Sequence, residues 1–135
     1  MISCSEPDCF RILVVDDERL ICELVESLFE QPGIQVEVAS SGAEALERAA
    51  SNPPDLILLD VVLPGLNGLA ICQLLRMRPQ LRDVPIYMLT ARARALDHAD
   101  SARAGATGHI EKPFRGDELS EIVARHRGFN VTPQG

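Results

Sequence analysis

Tryptophan is absent from this chain of 135 residues, tyrosine occurs once and phenylalanine four times. A core must therefore be assembled from Leu, Val, Ile and many Ala, side chains that let helices lie close on a sheet. No run approaches the roughly 20 apolar residues of a membrane-spanning helix. The opening MISCSEPDCF has neither the basic nor the apolar stretch of a secretion signal. These absences lead us to expect a cytoplasmic protein with no membrane partner. Positive charge is also short, and a formal net charge of -7 disfavours nonspecific binding to DNA or anionic membranes. We expect no direct nucleic acid binding by this domain. Cys4, Cys9, Cys22 and Cys72 form no CxxC pair and no plausible metal set, and they read as reduced thiols. Missing as well are GxGxxG after the first strand and GxxxxGK[ST] anywhere, which argues against a dinucleotide or P-loop nucleotide site.

What is present is one domain's worth of alternating strands and helices. The apolar residues AVILMFWYC make up 46% and charged residues 24%, normal for a globular domain. After a polar leader over 1–10, Arg11 to Val15 reads as a buried strand ending in Asp16-Asp17-Glu18. From Leu20 the apolar positions Leu20, Ile21, Leu24, Val25, Leu28 and Phe29 recur at helical spacing until Pro32-Gly33. A second strand near Gln35 to Ala39 leads to a helix from Ala43 to about Ala50, with Ser41 and Glu44 at capping-box spacing. Asp55 to Asp60 is a third strand, apolar until its last residue. Val61 to Asn67 is a loop, followed by a helix to about Arg78. Val84 to Thr90 is a fourth strand, then an Ala-rich helix runs to Gly105. A short fifth strand near Gly108 to Ile110 precedes Glu111-Lys112-Pro113, and Asp117 to about Arg127 is the last helix. Residues 128–135 read as a tail or a truncated linker.

Right-handed crossovers bury both faces of such a sheet, giving a three-layer α/β sandwich. Ligands gather at the carboxyl ends of the strands in open parallel sheets. Asp16, Asp17, Asp60, Thr90 and Lys112 can all converge there. Three carboxylates so close would raise at least one pKa unless cations intervene, and a hard divalent ion with oxygen ligands, together with Lys112, is the natural compensation. The chain has twelve Arg and one Lys, and that Lys stands beside the acids. Such a site suits a compact ammonium better than a planar guanidinium.

The strand leading to Asp16-Asp17, the segment LLDVVLPGLNG from Leu58 to Gly68, Pro85 to Ala91, Gly105-Ala106 and Lys112-Pro113-Phe114 together resemble the receiver domain of two-component response regulators. The likeness covers roughly residues 11–127. It implies a flavodoxin-like fold, a five-stranded parallel sheet of order 2-1-3-4-5 with five helices. It also implies that Asp60 accepts a phosphoryl group from a histidine kinase or a histidine phosphotransfer protein. Asp17, the Asp60 carboxylate and the Val62 backbone carbonyl would bind Mg²⁺, with Mn²⁺ as a substitute, and Asp16 would reach the ion through water. Thr90 and Lys112 would hold the phosphoryl oxygens, and Lys112-Pro113 would be a cis peptide. Such a domain is not a turnover enzyme; its chemistry is self-phosphorylation and slow autodephosphorylation.

Departures from the pattern carry their own expectations. His109 stands where most receivers place an aromatic residue that switches with Thr90. Val62 and Arg92 occupy positions that in the resembled family influence phosphoryl lifetime, and an apolar Val62 with a long Arg92 suggests a lifetime beyond that of fast chemotaxis-type regulators. Homodimerisation through the face made by the fourth and fifth helices and the fifth strand is a further expectation. A phosphorylation-independent interaction module is the same-fold alternative. A phosphatase of haloacid-dehalogenase type would need DxD at the first strand and room for a cap, and the sequence has neither.

Overall fold

The computed structural model describes residues 9–63, 67–90 and 102–127. Five strands, β1 (Phe10–Val15), β2 (Ile34–Ala39), β3 (Leu56–Asp60), β4 (Ile86–Thr90) and β5 (Gly108–Glu111), form one parallel sheet of order β2-β1-β3-β4-β5. β3 and β4 are buried at every position, and the sequence signals this with near-continuous Leu, Ile and Met in place of alternation.

Among the described residues there are four α-helices: α1 (Arg19–Leu28), α2 (Gly42–Ser51), α3 (Gly68–Arg76) and α4 (Gly116–His126), with a 3-10 turn at Pro79–Leu81. The expected count of five is therefore corrected to four. The expected Ala-rich helix running to Gly105 falls largely on residues 91–101, which lie outside the described residues, and the described Ala102 and Arg103 are helical. Its sequence has seven Ala from Ala91 to Ala106 and only Leu96 as a large apolar residue, so its helical period rests on side chains that specify a face weakly. A smaller correction concerns α3, which stops at Arg76 because Pro79 restricts the residue before it to extended backbone, and Arg78 has ψ 128°.

Two apolar layers sandwich the sheet. On one face Ile12, Val14, Leu58, Tyr87, Leu89 and Ile110 meet Cys22 and Val25 of α1 and Leu119, Ile122 and Val123 of α4. On the other, Leu13, Val15, Ile57, Leu59 and Met88 meet Ala45 and Ala49 of α2 and Ile71, Cys72 and Leu75 of α3. Alanines on α2 let it lie close to the sheet without an aromatic wedge. Its start is capped as the sequence suggests: the Ser41 hydroxyl accepts the Glu44 N–H at 3.2 Å, while the Glu44 carboxylate accepts the Ser40 N–H at 2.9 Å, one residue beyond the standard box.

Cys9 is disulfide-bonded, which corrects the reading of all four cysteines as reduced. It precedes β1, outside the packed helices, whereas Cys22 and Cys72 are free and enclosed in them. A cysteine count alone does not reveal such a pairing.

Arg76 is a structural anchor that helical periodicity does not distinguish from a surface residue. Its Nε donates to the Gly105 carbonyl at 2.8 Å, and its Nη1 donates to the carbonyls of Leu81 at 2.8 Å, Arg82 at 3.2 Å and Val84. One guanidinium thus ties α3, the 3-10 turn and the approach to β5. Gly105, at φ 96°, supplies the left-handed turn, and a Cβ there would lie 2.8 Å from Arg76 Cγ. Arg76→Ala should lower stability by about 2–3 kcal/mol, since charged hydrogen bonds are lost and carbonyls are left without their donor. Urea unfolding checks this, and a loss under about 0.5 kcal/mol, the ordinary surface value, would reject the anchor.

Candidate functional site

Parallel register sets the site. Val15 pairs with Leu59 and Asp60 with Leu89, and the Lys112 N–H donates to the Thr90 carbonyl at 2.7 Å. The residues that follow β1 and β5, and those that end β3 and β4, consequently meet on one rim. An open cleft of about 470 Å³ there is lined by Asp17, Glu18, Asp60, Val62, Leu63, Thr90 and Lys112. Asp16, Asp60 and Thr90 are buried, and Asp17 is exposed.

Lys112 is the centre of charge. Its Nζ lies 2.8 Å from Asp16 Oδ2, 3.1 Å from Glu18 Oε1 and 3.5 Å from Asp60 Oδ2. Burial opposes its charge, but the close polar contacts with Asp16 and Glu18 and the charges of Asp16 and Asp60 outweigh this and hold the ammonium above the ordinary lysine value. Burial pushes the Asp60 carboxyl up to about 6; the Val62 N–H, donated to Asp60 Oδ1 at 3.2 Å, and Lys112 pull the other way, and Asp16 adds to the rise. The acidic loop is braced from below. Asp16 Oδ1 accepts the Glu18 N–H at 2.9 Å, and the buried Cys22 thiol donates to the Asp16 carbonyl at 3.4 Å.

Oxygen atoms of Asp16, Asp17 and Asp60 all lie within 4.8 Å of one another. Asp16 Oδ2 is buried, and its contact with Lys112 is an ion pair without an aligned hydrogen bond. Four carboxylates, counting Glu18, face one ammonium. An all-oxygen donor set of three carboxylates fits a hard divalent cation, and the cluster is suited to hold one.

The response regulator receiver domain model matches residues 12–124. The chain belongs to this family. Response regulator MprA of Mycobacterium ulcerans (strain Agy99) is 43% identical over 119 residues, covering 88% of this chain and 49% of the relative. The chain spans about half the length of the curated relatives it matches. Among solved structures, chemotaxis response regulator CheY4 of Vibrio cholerae aligns with TM-score 0.81 and 32% identity over 87% of this chain and 98% of that one. The receiver domain of sensor histidine kinase PA1611 from Pseudomonas aeruginosa PAO1 aligns with TM-score 0.80 and 31% identity over 90% and 99%, and that structure holds a magnesium ion in its active-site cleft.

Residues 12–124 are thus a receiver, the phosphoacceptor domain of two-component signalling. No helix among the described residues is long and apolar enough to cross a membrane. Of the residues expected at its site, Asp16, Asp17, Asp60, Thr90 and Lys112 are brought together, Val62 stands 76% exposed at the mouth, and Lys112-Pro113 is cis. His109 pairs with Met88 in the sheet register, half-buried, one strand from the cleft. Arg92 lies outside the described residues. Two residues to which the sequence assigns no role also belong to the site. Glu18 reaches Lys112, and its place in the acidic run is the available signal. Gly68, inside the segment LLDVVLPGLNG, is where α3 starts against the carbonyl of Asp60.

Proposed function

We propose that Asp60 is the phosphoacceptor, taking its phosphoryl group from a phosphohistidine, and that Asp16, Asp17, Thr90 and Lys112 serve that transfer. The observation that carries this reading is a carboxylate at the end of a central strand, facing an open cleft, 3.5 Å from the chain's only ammonium side chain. An oxygen of Asp60 attacks phosphorus in line, the P–O bond forms as the P–N bond breaks, and the imidazole departs with the bonding electron pair. Lys112 offsets charge on the phosphoryl oxygens, and the Thr90 hydroxyl donates to one of them. Asp17, the Asp60 carboxylate and the Val62 carbonyl would hold Mg²⁺, with Asp16 acting through water, and the bound ion would supply further charge compensation.

Incubation with acetyl phosphate and Mg²⁺, followed by intact mass, tests the assignment. The native chain should gain one phosphoryl group, Asp60→Ala none, and Asp17→Asn should require far more Mg²⁺. Equal gain in Asp60→Ala would reject Asp60, and no gain in the native chain would favour the interaction-module reading.

Arrival of the phosphoryl group would be reported by Thr90 and His109, the latter replacing the usual aromatic switch. By strand alternation their side chains leave the same face of the sheet, in adjacent strands. Exposed, apolar Val62 offers no base to a hydrolytic water, and Arg92 is long enough to cover the cleft, which favours a long-lived acyl phosphate. Dimerisation through the β5 and α4 face and control of an output segment complete the reading.

A further inference from the structure

Lys112 does not rest on the proposed acceptor. Its shortest contacts are to Asp16 at 2.8 Å and Glu18 at 3.1 Å, and Asp60 is the most distant of the three at 3.5 Å. Asp16 is buried beneath the rim, whereas the Glu18 side chain is 61% exposed and lies across the cleft mouth. Glu18 is also the residue preceding α1, where its side chain makes no cap hydrogen bond to the helix. Its carboxylate is therefore not engaged in starting α1 and reaches 94 residues along the chain to Lys112.

We propose that Glu18 is a positioning residue that latches Lys112 in a resting place and competes with the incoming phosphoryl group for its ammonium. A phosphoryl group on Asp60 brings more negative charge and three acceptor oxygens to Lys112, and no other lysine can serve it. Lys112 must loosen its hold on Glu18 to meet them. Because Glu18 is exposed, the contact is a weak latch that yields readily to the phosphoryl group. Asp16, buried and braced by the Glu18 N–H and Cys22, remains the fixed partner in both states.

The proposal rests on Asp60 as acceptor for its kinetic consequence, but the latch itself can be read without phosphorylation. The single lysine makes a direct probe: chain labelled with ¹³Cε/¹⁵Nζ-lysine gives one side-chain lysine resonance. We expect that resonance to shift in Glu18→Ala and also in Glu18→Asp, whose carboxylate keeps the charge but is one methylene too short. With acetyl phosphate and Mg²⁺, both variants should phosphorylate faster than the native chain by roughly two- to five-fold, the range an exposed ion pair supplies. Glu18→Gln, which keeps a neutral acceptor at the same reach, should fall between. A lysine resonance unmoved in Glu18→Ala would overturn the latch. So would Glu18→Asp matching the native chain in rate while Glu18→Ala is faster, because Glu18 would then act only through its charge on an anionic donor. If no variant and no native chain takes up phosphate, the acceptor assignment fails, while the resonance still decides whether Glu18 holds Lys112.

Discussion

Gly68→Ala is expected to destabilise the receiver by on the order of 3 kcal/mol or more, the scale of severe overpacking, and to cut phosphoryl uptake at Asp60 at least about tenfold. A Cβ at position 68 would lie 2.1 Å from the carbonyl oxygen of Asp60, 2.8 Å from Val61 Cα and 3.0 Å from the Asp60 carbonyl carbon. All three are backbone atoms, so no rotamer change relieves the overlap. The Gly68 N–H also donates to the Val61 carbonyl at 2.7 Å, which locks the first turn of α3 onto the end of β3. Neither side can retreat cheaply, because β3 is hydrogen-bonded between β1 and β4 and α3 is sealed against the sheet by Ile71, Cys72 and Leu75. The displacement must therefore pass into Asp60 and Val61, the segment that aims the proposed acceptor. Asn67→Ala is the control: it removes the side chain that accepts the Leu69 N–H at 2.6 Å, costing about 1 kcal/mol through the lost cap without touching the acceptor strand. Urea midpoints and acetyl phosphate uptake, measured below the variant's unfolding transition, check both effects. A Gly68→Ala protein with a native midpoint would show that the close approach is not a constraint.

Much of this arrangement was legible in the sequence because its signals are local. The apolar run of β3 ending in Asp60, the acids after β1 and the Lys-Pro after β5 each announce a strand end, and parallel crossovers bring strand ends together whatever fills the helices. Ser41 and Glu44 announced the start of α2 in the same way. What was not legible depends on distance in three dimensions. Glu18 and Lys112 are 94 residues apart, and only the structure shows that Glu18 bends back over the cleft instead of capping α1. Arg76 has the spacing of an ordinary helix surface position, yet four backbone carbonyls converge on it from the 3-10 turn, the approach to β4 and the turn before β5. Gly68 stands inside a recognisable motif, but its reason is a clash of 2.1 Å that no pattern of residue types contains.

Asp60→Asn is expected to abolish phosphoryl incorporation and, in the absence of divalent metal, to make the protein more stable at neutral pH. Burial lifts the Asp60 carboxyl from its usual 3.8 to about 6 in the folded chain, so the folded state binds this proton more tightly than the unfolded state does. The stability associated with that proton is fully present below the unfolded value and is lost as pH rises through about 6. At pH 7 the ionised Asp60 carboxylate is therefore a burden on the fold, and a neutral amide of the same shape removes it. Every tenfold gain in proton affinity on folding corresponds to about 1.4 kcal/mol at most, and screening at the open cleft brings the expected gain to on the order of 1–2 kcal/mol. Lys112 is not stranded by the change, because Asp16 at 2.8 Å and Glu18 at 3.1 Å still hold it. Urea unfolding between about pH 5 and pH 8 should show the variant's advantage growing with pH, and Mg²⁺ should narrow it by stabilising the native carboxylate set more than the variant's. An advantage independent of pH, or a variant weaker than the native chain at pH 7, would mean that Asp60 is not held against its own charge. Such strain fits the proposed role, since a carboxylate that destabilises its site when bare gains most from a bound cation and from receiving a phosphoryl group.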